Sequence, residues 1–292
     1  MKTCILLLIG GLLILSCSKS NQQTQPNPDS AMNILFLHHS TGDKIWNGGN
    51  AGFFYRITRK VSPKLAEKNK PLAMVPRLVQ EHNRYNNTNY RITELAFPKV
   101  SPYGWHNYPF DYYDIWVKHA GPGPYMEEPT LEMLTDRYKV IVFKHCFPVS
   151  NIKADADTAD IDSNVRTLAN YKLQYLALRD KLRQFPETTF LIWTGAVQVQ
   201  SQVTEDEAIR TREFFTWVRE FWDEQGDNIY LWDFYQLETE GGLYLKEEYA
   251  ASAKDSHPNT DFSKKAAALF VQRLTDVVEN KGSKTDITGQ PI

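Results

Sequence analysis

The chain has 292 residues, 42% of them hydrophobic, enough to bury one large α/β core and to exclude a wholly disordered protein. A formal net charge of −2 removes the electrostatic basis for nucleic-acid binding. The three cysteines, Cys4, Cys17 and Cys146, form no CxxC pair and no Cys/His spacing of a structural zinc site.

The first residues read as a targeting signal. Lys2 precedes a mostly apolar run from Cys4 to Leu15, short for a membrane span and of the length of a signal h-region. Ile14-Leu15-Ser16-Cys17 resembles the lipobox of bacterial lipoproteins. That resemblance implies a signal peptide over 1–16 and a lipid on Cys17. Residues 17–31, polar and carrying Pro26 and Pro28, are expected to form a flexible tether. Ser18 and Lys19 stand where an aspartate would favour inner-membrane retention, so a lipid anchor in the outer membrane of a bacterial cell envelope is the expected address.

The folded part opens on Asn33 to Asp43, NILFLHHSTGD. Ile34 to Leu37 is fully apolar, as a buried parallel strand is. It breaks into His38, His39, Ser40, Thr41 and Gly42, a place where an α/β enzyme can hold an exposed nucleophile. The plainer alternative is a strand-to-helix turn with Ser40 as the helix cap. Pro76 suits the first turn of a helix ending near Asn86-Asn87. Arg91 to Phe97 alternates and predicts a second strand. From Pro98 to Pro129 the chain carries Tyr103, Trp105, Tyr108, Phe110, Tyr112, Tyr113, Trp116 and Tyr125 with no helical or strand period. Such a loop is either a substrate-binding wall, because aromatic faces suit sugar rings and acyl groups, or it packs a small core of its own.

Thr130 to Tyr138 reads as a short helix and Lys139 to Cys146 as a third strand, with Cys146 buried at its end. Asn164 is expected to cap a long helix to Phe185, with Val165 on its apolar face. Thr189 to Trp193 is a fourth strand. Glu205 to Asp223 is a helix with Phe221 on its apolar face, and Asn228 to Phe234 is a fifth strand. Residues 254–260 form the last loop, before a helix marked by Phe262, Ala266, Leu269 and Phe270. Residues 281–292 form a polar tail expected to fray. Five strands alternating with helices predict a parallel sheet covered on both faces, in one domain over 32–280.

A serine hydroxyl needs a base to take its proton, best a histidine held by a carboxylate. Of the seven histidines, only His257 sits in the last loop with a carboxylate, Asp255, two residues before it. That loop and the one bearing Ser40 can both lie at the carboxyl edge of a parallel sheet. The plain alternative for His257 is an ordinary loop histidine. His38 and His39 with His257 and Asp255 could suggest a metal site, but adjacent residues at a strand end point to opposite faces. No metal and no cofactor is expected.

These residues resemble the SGNH or GDSL hydrolases, which place a serine just after the first strand and a short Asp-x-x-His motif, often followed by Pro-Asn, before the last helix. Asp255-Ser256-His257-Pro258-Asn259 resembles that motif with one residue fewer between acid and base. His38-His39-Ser40 replaces the usual Gly-Asp-Ser. The resemblance implies a doubly wound three-layer α/β/α sandwich with a flavodoxin-like central five-stranded parallel sheet. It implies a serine esterase, with Ser40 as nucleophile, His257 as base and Asp255 as its orienting acid. It also implies oxyanion donors, for which the Ser40 amide, Gly104 and Asn151 are the candidates. With an envelope address and an aromatic loop, acylated or acetylated carbohydrate is the expected substrate. The alternatives are a non-catalytic glycan-binding lipoprotein on the same fold and an O-acyltransferase using the same residues.

Overall fold

The computed structural model describes residues 31–49, 72–104, 106–155 and 158–292. The expected signal peptide, Cys17, the tether up to residue 30 and Trp105 lie outside these residues. The frame is an all-parallel sheet of β1 (Met32–His38), β2 (Tyr90–Ala96), β3 (Val140–Phe143), β4 (Thr189–Trp193) and β5 (Ile229–Trp232), in the order β2-β1-β3-β4-β5. This is the flavodoxin-like order, whose winding reverses between β1 and β3 and leaves a crevice at the carboxyl edge there.

The strands are apolar at successive positions because both faces are buried. Leu35, Leu37, Ile141, Phe143, Phe190 and Ile192 face one core. Ile34, Phe36, Val140, Val142, Leu191 and Trp193 face the other. The second core is closed by α1 (Ser40–Asn47), α2 (Met74–Asn86) and the long C-terminal α8 (Thr260–Asn280). The first is closed by α3 (Pro109–Tyr113), α4 (Leu131–Thr135), α5 (Leu168–Leu182) and α6 (Glu205–Trp217). The short α7 (Phe234–Thr239) sends Tyr235 into the first core and Phe234 into the second. The result is the expected doubly wound α/β/α sandwich.

Several boundaries differ from those the sequence suggests. The third strand stops at Phe143, because the Asn107 side chain replaces a neighbouring strand beyond it. Asn107 Nδ2 donates to the Lys144 carbonyl and its Oδ1 accepts from the Cys146 amide, both at 3.0 Å. The long helix begins at Leu168 rather than Asn164. The segment before it is extended, with the Lys153 amide donating to the Arg166 carbonyl at 2.8 Å, so Thr167 becomes the cap and Val165 is exposed. After α6 a π-helical turn, Val218–Trp222, adds a residue to the turn. It turns Phe221 to solvent and buries Trp222, whose indole N–H donates to the Tyr175 carbonyl at 2.6 Å.

The aromatic segment is not structureless. It holds α3 and a π-turn, Asp114–Lys118. Tyr112 and Trp116 pack edge-on to one another and around Phe97 and Phe143, so much of its aromatic density is core.

The end of the chain does not fray. Asp276 Oδ2 accepts the Thr285 amide at 2.8 Å and its hydroxyl at 2.7 Å. Arg273 donates to the Gly282 and Thr285 carbonyls, and the Trp232 indole donates to the Thr288 carbonyl at 2.8 Å. The polar residues that suggested a loose tail are the ones that fasten it. Asp276→Ala leaves the buried Arg273 without its carboxylate and should lower stability by about 3 kcal/mol in urea unfolding. A loss below about 1 kcal/mol would show that the tail is not fastened through this pair.

Candidate active site

Ser40 is exposed and is the first residue of α1. It does not cap the helix: His39 holds the cap position without a side-chain capping bond. The first helical bond runs from the Asp43 amide to the His39 carbonyl at 2.9 Å. The amides of Ser40, Thr41 and Gly42 therefore have no acceptor within the helix, as first-turn amides do not. They form the positive end of a helix at the carboxyl rim of β1, where negative charge is favoured.

The residues around Ser40 hold this turn in place. A Cβ on Gly42 would lie 2.4 Å from His38 Cβ, so only glycine lets α1 fold back this closely over the strand end. The His38 ring faces the His39 carbonyl through Nδ1 at 2.9 Å and Glu94 Oε2 through Nε2 at 3.0 Å, tying β1 to β2. His39 is buried, and its Nε2–H donates to the Pro98 carbonyl at 2.7 Å. Burial pulls its pKa down to about 4, so it is neutral at neutral pH. Both histidines are committed to supporting the loop.

Beneath the same turn lies a buried cation. Lys144 is fully buried, and its ammonium donates to the His145 carbonyl at 3.0 Å and to Cys146 Sγ at 3.3 Å. Burial opposes ionisation of the Cys146 thiol. The Lys144 charge, reinforced by the Thr41 amide, outweighs that and holds the thiol below its ordinary range.

The last loop contains a hairpin of β6 (Ala250–Ser252) and β7 (Asp255–Pro258). Within it Asp255 Oδ1 accepts the His257 ring Nδ1–H at 2.6 Å and the His257 amide at 3.0 Å. The two-residue spacing thus curls the carboxylate back onto its own histidine. The His257 amide is the main cause of a carboxyl pKa below the ordinary aspartate value; partial burial opposes it, and the His257 ring adds to it. The Phe147 ring meets the imidazole edge-on at 5.3 Å. With Nδ1 bound to Asp255, Nε2 is left for proton exchange.

The structure lays α1 alongside β7. Lys44 of α1 is close enough to favour the charged form of Asp255. Past the end of α1, a Cβ on Gly49 would lie 2.5 Å from Thr260 Cα. On the other side, Phe147, which touches His257, directly follows Cys146, which faces Thr41. The helix that follows β1 and the last hairpin therefore meet on one rim of the sheet.

The Gly104 amide does not join them as an oxyanion donor, and Asn151 has its acceptor oxygen engaged elsewhere. Gly104 has φ +62° and its amide closes a turn onto the Val100 carbonyl at 3.2 Å, so it has no proton free for an oxyanion. Asn151 accepts from Arg166 Nη1 at 2.9 Å and sits beyond the 3-10 turn Phe147–Val149. The asparagine that reaches the rim is Asn107, fully buried. Its place inside the aromatic segment, away from any strand, hid it; the only hint was an amide set among aromatic residues.

No protein-family model and no curated protein matches the chain. Among solved structures, it is similar to one described as a carbohydrate esterase whose active site displays divergent catalytic and non-catalytic binding functions. The identity is 12% and the TM-score 0.38, and the match covers 84% of this chain and 65% of that one.

A depressed carboxyl contributes stability above its ordinary pKa and loses that contribution as pH falls through the depressed one. In a carboxyl ¹³C NMR titration, Asp255 should titrate below the ordinary aspartate range. His257→Ala keeps the amide and removes the ring, so the midpoint should rise only part of the way. A return to the full unperturbed value would show that the ring, not the amide, holds the carboxylate.

Proposed function

We propose that this chain is a serine ester hydrolase that transfers an acyl group to water. The observation that carries this reading is an exposed serine at a helix N-terminus, on the same rim as a histidine whose Nδ1 is already fixed by a carboxylate. In this reading His257 Nε2 takes the Ser40 proton as Ser40 Oγ attacks the ester carbonyl. The tetrahedral oxyanion forms at the Ser40 amide and the positive end of α1, above buried Lys144. Collapse breaks the ester C–O bond, and His257 returns the proton to the departing alcohol. Water then repeats the sequence on the acyl-serine. Asp255 keeps the imidazole in the required tautomer and stabilises its protonated form.

The substrate we propose is an acyl or acetyl ester on a carbohydrate. A lipid on Cys17 would hold the domain at a bacterial membrane surface facing that substrate.

Hydrolysis of 4-nitrophenyl acetate tests the mechanism. Ser40→Ala and His257→Ala should each lower kcat about 10³-fold or more without moving the unfolding midpoint. Asp255→Ala should cost less, because the carboxylate is 51% exposed and water can partly replace it. Turnover that survives in Ser40→Ala would exclude Ser40 as nucleophile. Products formed preferentially on an added acceptor alcohol would identify an acyltransferase instead, and saccharide binding without turnover of any ester would identify a binding protein.

A further inference from the structure

A cavity of about 300 Å³ opens beside the aromatic segment, and neither Ser40 nor His257 lines it. We propose that this cleft is a saccharide subsite for neutral pyranose units. The proposal deepens the esterase reading, on which it rests for a sugar-bearing substrate, but its test needs no hydrolysis.

The cleft combines ring faces with fixed polar groups. Phe110 and Tyr113 line it and are partly exposed. Tyr108 stacks against Phe110 with ring centroids 4.6 Å apart and planes 14° apart, which fixes the plane that Phe110 presents. Asp111 also lines the cleft although it is only 6% exposed. One of its oxygens accepts the Tyr108 amide at 2.8 Å. No other described residue bonds to this carboxyl, which leaves the second oxygen for the cleft. Burial, reinforced by nearby Asp114 and opposed by the Tyr108 amide, pushes its pKa up to about 7, so near neutrality it can both donate to and accept from a hydroxyl. Asp114 is committed elsewhere, taking the Tyr103 hydroxyl at 2.7 Å and standing 3.2 Å from His119 Nδ1.

This layout suits the apolar C–H face of a pyranose ring laid on Phe110, with a ring hydroxyl on Asp111. Pockets of this kind pair apolar walls with a few placed polar groups. The charge balance narrows the ligand class. Asp111, Asp114 and Asp162 line the cleft against Lys118, which is itself paired with Asp162 at 2.8 Å. That field repels a uronic acid, and the carboxyls are poor company for a fatty acyl chain.

The test is titration calorimetry on the Ser40→Ala protein with cellotetraose, xylotetraose and mannotetraose, and a galacturonic acid tetramer as the anionic probe. At least one neutral tetramer should bind saturably and the galacturonate should not. Phe110→Ala should weaken binding about tenfold. Asp111→Asn keeps the bond to the Tyr108 amide, and with it α3, yet should also weaken binding. The proposal falls if none of the neutral tetramers binds, if binding is unchanged in both cleft variants with the fold intact, or if galacturonate binds best. Binding without ester turnover in the parent protein would remove the esterase reading and leave the subsite standing; turnover without such binding would do the reverse.

Discussion

The first turn of α1 has backbone amides that the helix cannot satisfy, and they lie at the mouth of the sheet where winding reverses. An unsatisfied helix N-terminus acts as a partial positive charge and tolerates little displacement. Much of what surrounds it can be understood as keeping it in place. Gly42 lets the helix come back within contact of His38. His38 and His39 tie the turn to the ends of β1 and β2. Lys144 and Cys146 place an ammonium and an acidified thiol below Thr41. The hydroxyl of Ser40 is left exposed on top of an otherwise immobilised base.

His257, on the hairpin strand beside α1, is held in a different way. Its orienting carboxylate belongs to the same hairpin and bonds both the ring and the backbone of His257. That arrangement is local and survives whatever the rest of the rim does. What it needs from the fold is placement: β7 lies beside α1, and its neighbour Asn259 begins α8 by accepting the Phe262 amide at 2.9 Å. The long helix that closes the second core thereby also fixes where His257 stands. Asn107 plays the corresponding part on the β3 side, where its amide continues the ladder after the strand has ended.

The aromatic segment serves two ends. Tyr112 and Trp116 are core, and their burial is why this stretch is ordered at all. Phe110 and Tyr113 lie on the outer side of the same helix and turn, where ring surface and the Asp111 carboxyl meet in a cleft. Burying one side of an irregular segment is what makes the other side rigid enough to present a binding surface.

Taken alone, the sequence determined the class of fold and the five strands in order, and it singled out Ser40 and His257 as candidates, because continuous apolar runs and the residues at their ends depend on local pattern. It also held the Asp255–His257 pairing, since two residues of spacing cannot separate them far. The tertiary structure alone decided that the Gly104 amide is spent in a turn, that the Asn151 oxygen goes to Arg166, and that Asn107 reaches the rim. It also decided that the tail is fastened, and that a buried lysine lies under the helix bearing Ser40. The Asn107 contacts and the Trp232 bond to the tail join segments tens of residues apart, and even the shorter-range contacts are set by packing and leave no periodic trace along the chain.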